Sequence, residues 1–545
     1  MANNDEKIRR YLVPLLPFLL ALLILLPRLL SPQFGLMDDA MTLSQAQSFL
    51  KGDFSMSHDM QAGRFRPVYW LYYTLVYALA GYHPFWFFVA NLVLLWALLV
   101  EIRMLVKQAG GAEWQVLLAS GLFLLSMPII ENFYTLSKGE PLQLVLMLGA
   151  VLLLNPKPSD QPKFPWAKSL LAALLILLAI MVKETAIALV PLAGLWALFS
   201  TLIKSNEAKT PQRYLWALTG AAVLATLLYF GSRQLVQSTP LFGGTYTDRY
   251  FFNLGETIQK LLRWITQFAY YFHYYVPIAI IWVWLLFTKT PISKELKINL
   301  FRWSTWWLAW FALFIPWDFA ESYYLLPFAL GGALLISLSA PVLFSAFKAQ
   351  KKLGRALMTT LAIVAGALFL LTLPNYITNA RIQLAFDKAN VEMLDYVQEE
   401  IPVNATVFMN IEGANEYVEK MRIYLNEHLN REDIHYSHID QTQMEHIIEQ
   451  VGAFVLIPKI DNQPALSVRA GVEEYYQDIW DRTLSNLMVD RHISLFVNEE
   501  SFRLMNVNLP VIFCRFGVDA SFCQSSEPLI DSEMFTYGWE IIQIQ

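Results

Sequence analysis

Apolar runs long enough to cross a bilayer recur through the first two-thirds of this chain, and they dictate what it can fold into. A hydrocarbon core takes about 20 apolar residues as a helix, because each backbone N–H and C=O must be satisfied within the segment. Reading such runs between charged residues gives about eleven helices, at 11–30, 84–106, 113–130, 141–154, 166–182, 185–203, 214–230, 274–288, 303–317, 323–346 and 356–373. Composition agrees: 56% of the 545 residues are hydrophobic and 16% are charged, against about 25% charged in soluble domains. The lipid bilayer is the expected partner, and a net charge of −5 gives no reason to expect nucleic acid. The first run follows "MANNDEKIRR" and leads into no small-x-small cleavage site, so it reads as a retained signal anchor.

Basic residues set the expected orientation. Loops on the N-terminal side carry Lys7, Arg9, Arg10, Arg103, Lys107, Lys157, Lys163, Lys168, Lys204, Lys209 and Arg213, with further clusters at 289–302 and 348–355. Loops on the other side carry visibly fewer. The positive-inside rule then predicts a cytoplasmic N-terminus, and an odd number of spans puts everything after Leu373 outside. In residues 374–545 hydrophobicity falls and strand and helix patterns alternate: "ATVFMNI", "IHYSHI" and "AFVLIPKI" as strands, "NEYVEKMRIYLNEHL" and "QTQMEHIIEQVG" as helices. The expected fold is therefore a polytopic α-helical membrane domain, residues 1–373, followed by an extracytoplasmic α/β domain with a largely parallel sheet. Cys514 and Cys523, in "FCRFGVDASFC", make a disulfide plausible in an oxidising compartment.

The first loop on the expected outer side, "SPQFGLMDDAMTLSQAQSFLKG" and onward to His83, is long and only partly polar. Ala40, Leu43, Ala46, Phe49 and Leu50 recur at helical spacing, so Asp38 and Asp39 open an amphipathic helix. Helix capping alone would explain two acids there. "RFRPVYWLYYTLVYALAG" follows, with the Tyr and Trp enrichment of a membrane interface. Lys183 and Glu184 interrupt an apolar stretch, a costly placement unless they pair or face a polar cavity.

These segments, in this order, resemble the GT-C superfamily of integral-membrane glycosyltransferases. "MDDAMTLSQAQSFLKGD" is similar to the acidic pair of protein O-mannosyltransferases and the lipid A aminoarabinose transferase, and "RPVYWLYY" to their basic-Pro-Pro-Leu segment, with Val68 at the second proline. "GYHPFWFFVANLVLLWALLV" resembles their second span. Lys138-Gly139-Glu140 stands where an Arg-x-Glu opens their fourth, and "AIMVKETAIALVPL" resembles a Lys-Glu turn. "FAESYYLLPFAL" resembles a late Glu-Arg-Tyr-x-x-Leu-Pro segment, with Ser322 in place of Arg. The Trp-Trp-Asp segment that oligosaccharyltransferases carry in their soluble domain has no counterpart here.

The resemblance implies an inverting transfer from a polyprenyl-phosphate sugar to a glycan, lipid or protein acceptor. Such a reaction needs a carboxylate to take the acceptor's proton and cations where charge develops on the departing phosphate. Asp38 is the expected base, with Asp39 as its neighbour or alternate. Arg66, then Arg64, are the expected phosphate ligands, with Lys138 and Lys183, while Glu140, Glu184, Asp318 and Glu321 line the cleft. Headgroup snorkelling would equally explain Arg64 and Arg66. No His/Asp cluster has metal spacing and no Gly-rich phosphate loop is present, so neither metal nor cofactor is expected. The alternatives are a polytopic transporter, which would show inverted repeats, and a non-catalytic scaffold whose outer domain recruits partners.

Overall fold

The computed structural model describes residues 2–36, 38–56, 59–60, 63–155, 165–202, 209–236, 257–258, 260–261, 264, 268, 271–287, 293–317, 322–349, 352–409, 420–438, 451–461, 492–503, 506–507, 530–531 and 534–544. Asp318, Glu321, Cys514 and Cys523 lie outside these residues, as do most of the loop 231–273 and the helix expected at "QTQMEHIIEQVG".

The apolar runs fold as helices where the sequence places them. They are α1 (Ala2–Leu30), α4 (Pro84–Gln108), α5 (Glu113–Leu124), α6 (Met127–Phe133), α7 (Glu140–Leu153), α8 (Trp166–Val182), α9 (Leu189–Leu202), α10 (Lys209–Val236), α11 (Tyr275–Phe287), α12 (Lys294–Phe314), α13 (Leu326–Ala349) and α14 (Lys352–Glu399). Between α1 and α4, the loop holds two shorter helices, α2 (Asp38–Leu50) and α3 (Pro67–Ala80), which pack on each other. Among the described residues six helices are long and apolar enough to cross a membrane. A seventh span results if α5 and α6, bent by 64° at their junction, count as one. Pro128 explains the bend, since it has no N–H to continue the ladder from α5, and Ser126 at the junction is extended, φ −85° and ψ 145°. With 14 and 17 residues, α7 and α8 fall short of a full crossing. This is an integral membrane protein, with eleven apolar helices expected and six or seven of spanning length described.

Continuity between the bundle and the C-terminal region is the feature that most affects the site. No break occurs at residue 374: α14 runs through 48 residues with Pro374 inside it. Beyond it lie β1 (Thr406–Met409), β2 (His435–His438), β3 (Phe454–Asp461), β4 (His492–Arg503), β5 (Asn506–Val507), β6 (Ile530–Asp531) and β7 (Met534–Ile544). The main sheet has the order β2-β1-β3-β7-β4. β1 pairs in parallel with β2 and β3, whereas β7 runs antiparallel to both β3 and β4. The sheet is thus mixed, not largely parallel, because the two longest strands form an antiparallel ladder at one edge. A single buried apolar cluster extends from the bundle, through Leu25, Phe88, Leu148 and Trp306, to Val455, Phe535 and Trp539 of the sheet. Bundle and sheet therefore share a core.

Candidate active site

At the start of α2 the two acids diverge, as successive helical residues must. Asp39 turns inward and is 5% exposed. Its Oδ2 accepts from Gly35 N at 2.7 Å and its Oδ1 from Ser137 Oγ at 2.8 Å. Burial pushes this carboxyl up to about 6, against the two donors that pull it down, with the Asp387 and Asp38 charges adding to the rise. Ser137 adopts a left-handed backbone, φ 60°, uncommon for a residue with a Cβ. Its hydroxyl also lies 2.7 Å from Thr42 Oγ1, which is 3.4 Å from the Tyr69 hydroxyl. Asp38 turns the other way. Its side chain is 60% exposed, with Oδ2 3.6 Å from Lys138 Nζ.

Four expected cations, Arg64, Arg66, Lys138 and Lys183, gather around this corner from three segments. Lys138 stands 4.2 Å above the Tyr323 ring, while Lys183 lies 4.4 Å from the Tyr324 ring centre and 5.5 Å from that of Tyr323. Two lysines 45 residues apart thus share one aromatic platform, a favourable seat for ammonium groups. The platform is fixed from below by α6: Glu131 Oε2 accepts from Tyr323 N at 2.7 Å, and Asn132 Nδ2 donates to Tyr323 O at 3.0 Å. Lys183 also pairs with the buried Glu140. Burial, with the Arg64 and Arg66 charges nearby, lowers the Lys183 ammonium below its usual range despite that partner. Glu184 accepts from Phe65 N at 3.0 Å and from the Tyr229 hydroxyl at 3.2 Å, so it holds the "RFRP" turn in place.

Arg66 is held more tightly than the sequence suggests. Its Nε and Nη2 donate to the two oxygens of Asp59 at 3.1 and 2.6 Å, and Trp70 Nε1 donates to the same carboxylate at 2.6 Å. The guanidinium lies 4.6 Å from the Tyr69 ring centre. A fork closed on a carboxylate is a bidentate pair, the geometry in which arginine also takes phosphate. Asp59 does not enter the sequence reading, which quotes Tyr323 and Tyr324 within "FAESYYLLPFAL" and gives them no role. An acid seven residues before Arg66 in an aromatic loop is the only local signal for Asp59. The platform needs contacts nearly 200 residues apart.

The C-terminal region closes one side. Tyr424, 1% exposed, donates from its hydroxyl to Gly35 O at 2.6 Å. The His428 ring stacks on Tyr82 at 4.4 Å, and Ser44 Oγ donates to Glu427 Oε1 at 3.1 Å. Arg28, at the end of α1, is fully buried, pairs with Asp387 of α14 and donates to Gln33 O at 3.2 Å. A cavity of about 140 Å³ lies between Phe34, Tyr82, Leu394 and Tyr424. Among the described residues no group of three His, Cys, Asp or Glu side chains converges to hold a metal ion.

No family model and no curated protein matches the chain. Solved structures do resemble it, among them an oligosaccharyltransferase and ArnT. The oligosaccharyltransferase of Archaeoglobus fulgidus, tethered to an acceptor peptide containing the NVT sequon, is 11% identical with a TM-score of 0.49, over 90% of this chain and 73% of that one. ArnT from Cupriavidus metallidurans, bound to undecaprenyl phosphate, is 11% identical with a TM-score of 0.44, over 88% of this chain and 95% of that one. A likeness at this level carries no residue across.

Proposed function

We propose that the protein is an inverting glycosyltransferase that moves a sugar from a polyprenyl-phosphate carrier to an acceptor hydroxyl or amine. In this reading the N-terminus is cytoplasmic, the C-terminal region is extracytoplasmic, and transfer occurs at the outer membrane–water interface. One observation carries the proposal: an accessible carboxylate, Asp38, stands beside Lys138 on a platform that also seats Lys183. Asp38 takes the proton of the acceptor's O–H or N–H as that atom bonds to the anomeric carbon. The bond from that carbon to the phosphate oxygen breaks on the opposite face, and its electron pair leaves with the polyprenyl phosphate. Lys138 and Lys183 compensate the growing phosphate charge, and Arg64 and Arg66 add to the same positive field. Asp39, buried and with both oxygens engaged, positions the start of α2 and the Ser137–Lys138 backbone. No nucleotide is required, since the donor arrives activated.

The test is release of undecaprenyl phosphate from undecaprenyl-phosphate sugars by the protein reconstituted in vesicles, followed by mass spectrometry. Asp38→Asn lowers turnover by about 10²–10⁴-fold, the usual worth of a general base. Unchanged turnover in that variant, in protein that remains monodisperse, rules out the assignment. A scaffold or a transporter gives no release from the wild type.

A further inference from the structure

Asp39 sits at a junction between two halves of the chain. Its Oδ2 accepts from the N–H of Gly35, and the carbonyl of that same residue accepts from the hydroxyl of Tyr424. The peptide groups flanking one α-carbon are thus held from both sides: by the acid of α2 and by a tyrosine 389 residues later in the chain. Tyr424 opens a single π-helical turn, Tyr424–His428, closed by Leu429 N donating to Tyr424 O at 3.0 Å. Wide turns of this kind are rare and recur at functional sites. The turn seats three side chains on the first loop at once, because Glu427 takes the Ser44 hydroxyl and His428 stacks on Tyr82.

We infer that the C-terminal region is a working part of the transfer site, and that Tyr424 is a positioning residue acting through Gly35 on Asp39. The inference rests on the glycosyltransferase reading above. Without its hydroxyl partner the 35–36 peptide loses its anchor, and the 34–35 peptide, joined to it at the Gly35 α-carbon, is held less firmly with its N–H on Asp39 Oδ2. The start of α2 then loosens, and with it the direction in which Asp38 points.

The effect has a signature of its own. Losing the Gly35 donor makes the Asp39 carboxylate harder to keep charged, so its protonation moves to higher pH. The charged and titratable groups around Asp39 are Asp38 on its own helix, Tyr73 of α3, Tyr82 before α4, Asp387 of α14 with Arg28 upon it, and Tyr424 itself. Removing only the Tyr424 hydroxyl leaves Tyr73, Tyr82, Arg28 and Asp387 in place, so the shift reads the Gly35 donor and the loosened start of α2 that carries Asp38.

The experiment uses the full chain in lipid vesicles, treated with dicyclohexylcarbodiimide across pH 4.5–8, with modification at position 39 separated from position 38 by fragment mass spectra. This reagent captures protonated buried carboxyls and needs no substrate. In Tyr424→Phe the pH midpoint of Asp39 modification rises by about half a unit or more, and turnover in the release assay falls about tenfold with little change in donor KM. Ser137→Ala, which removes the other donor, moves the midpoint the same way and calibrates the probe. Should Tyr424→Phe not yield monodisperse protein, Tyr424→Met serves as a second variant without the hydroxyl. An unmoved midpoint, with Ser137→Ala shifted, overturns the inference. A wild type that releases no undecaprenyl phosphate, with the midpoint shift intact, overturns the glycosyltransferase reading and leaves the link from Tyr424 to Asp39 standing.

Discussion

Where α4 ends and α5 begins, Glu113 joins Arg103 at 2.7 Å and Lys107 at 3.1 Å, with side chains between 31% and 39% exposed. At the opposite end of the bundle, Arg28 and Asp387 pair across 359 residues with side chains 0% and 2% exposed, and Asp59 and Arg66 pair at 15% exposure or less. The first group is local and wet. Such pairs contribute little, because water already solvates both partners and ordering two long side chains costs entropy. The second group is dry, and a buried ion gains less from its partner than it loses in hydration unless its geometry is fixed by the fold. These two buried pairs therefore depend on tertiary packing to hold their geometry, whereas the Glu113 pairs are set by neighbouring residues of the chain.

Four substitutions sharpen the contrast. Arg28→Met strands Asp387 in the core and destabilises the protein by about 3–5 kcal/mol, read as a large fall in thermal midpoint in detergent. Arg28→Met with Asp387→Leu recovers most of that loss, since the pair is worth less than the damage of breaking it. Next comes pH. A carboxyl raised to about 6 in the fold, from 3.8, binds its proton more tightly folded than unfolded, so stability falls as pH rises from about 4 to 6 and is flat above. The cost is about 3 kcal/mol, and Asp39→Asn flattens that slope, measured as thermal midpoint against pH. Smallest is Arg103→Ala, which changes stability by less than about 1 kcal/mol. A fall in Arg103→Ala as deep as that in Arg28→Met would erase the distinction between the two ends.

The same contrast explains what the sequence discloses. Apolar helices are legible because their signal is a run of neighbours. So are the paired acids, the "RFRP" turn and the Lys-Glu motif, since each is a local break in a local pattern. Helix lengths are legible as well: the runs at 141–154 and 166–182 match α7 and α8, which have 14 and 17 residues. The site's internal wiring leaves no local trace. Nothing near Asp39 announces Ser137, 98 residues away, and nothing near Lys138 announces Tyr323. The different environments of Asp38 and Asp39 follow from helix geometry in kind, but only tertiary packing decides which acid is buried.

The central claim is that the end carrying Asp38 and Lys138 holds a membrane-anchored phosphate. Native mass spectrometry of the protein from nanodiscs containing undecaprenyl phosphate tests it most directly. The account predicts one retained lipid in the wild type, a loss of affinity of about tenfold or more in Lys138→Ala with Lys183→Ala, as removal of charged hydrogen bonds implies, and no change in Arg103→Ala with Lys107→Ala. Retention that survives the first pair and disappears with the second would place the lipid at the other end of the bundle and contradict the account.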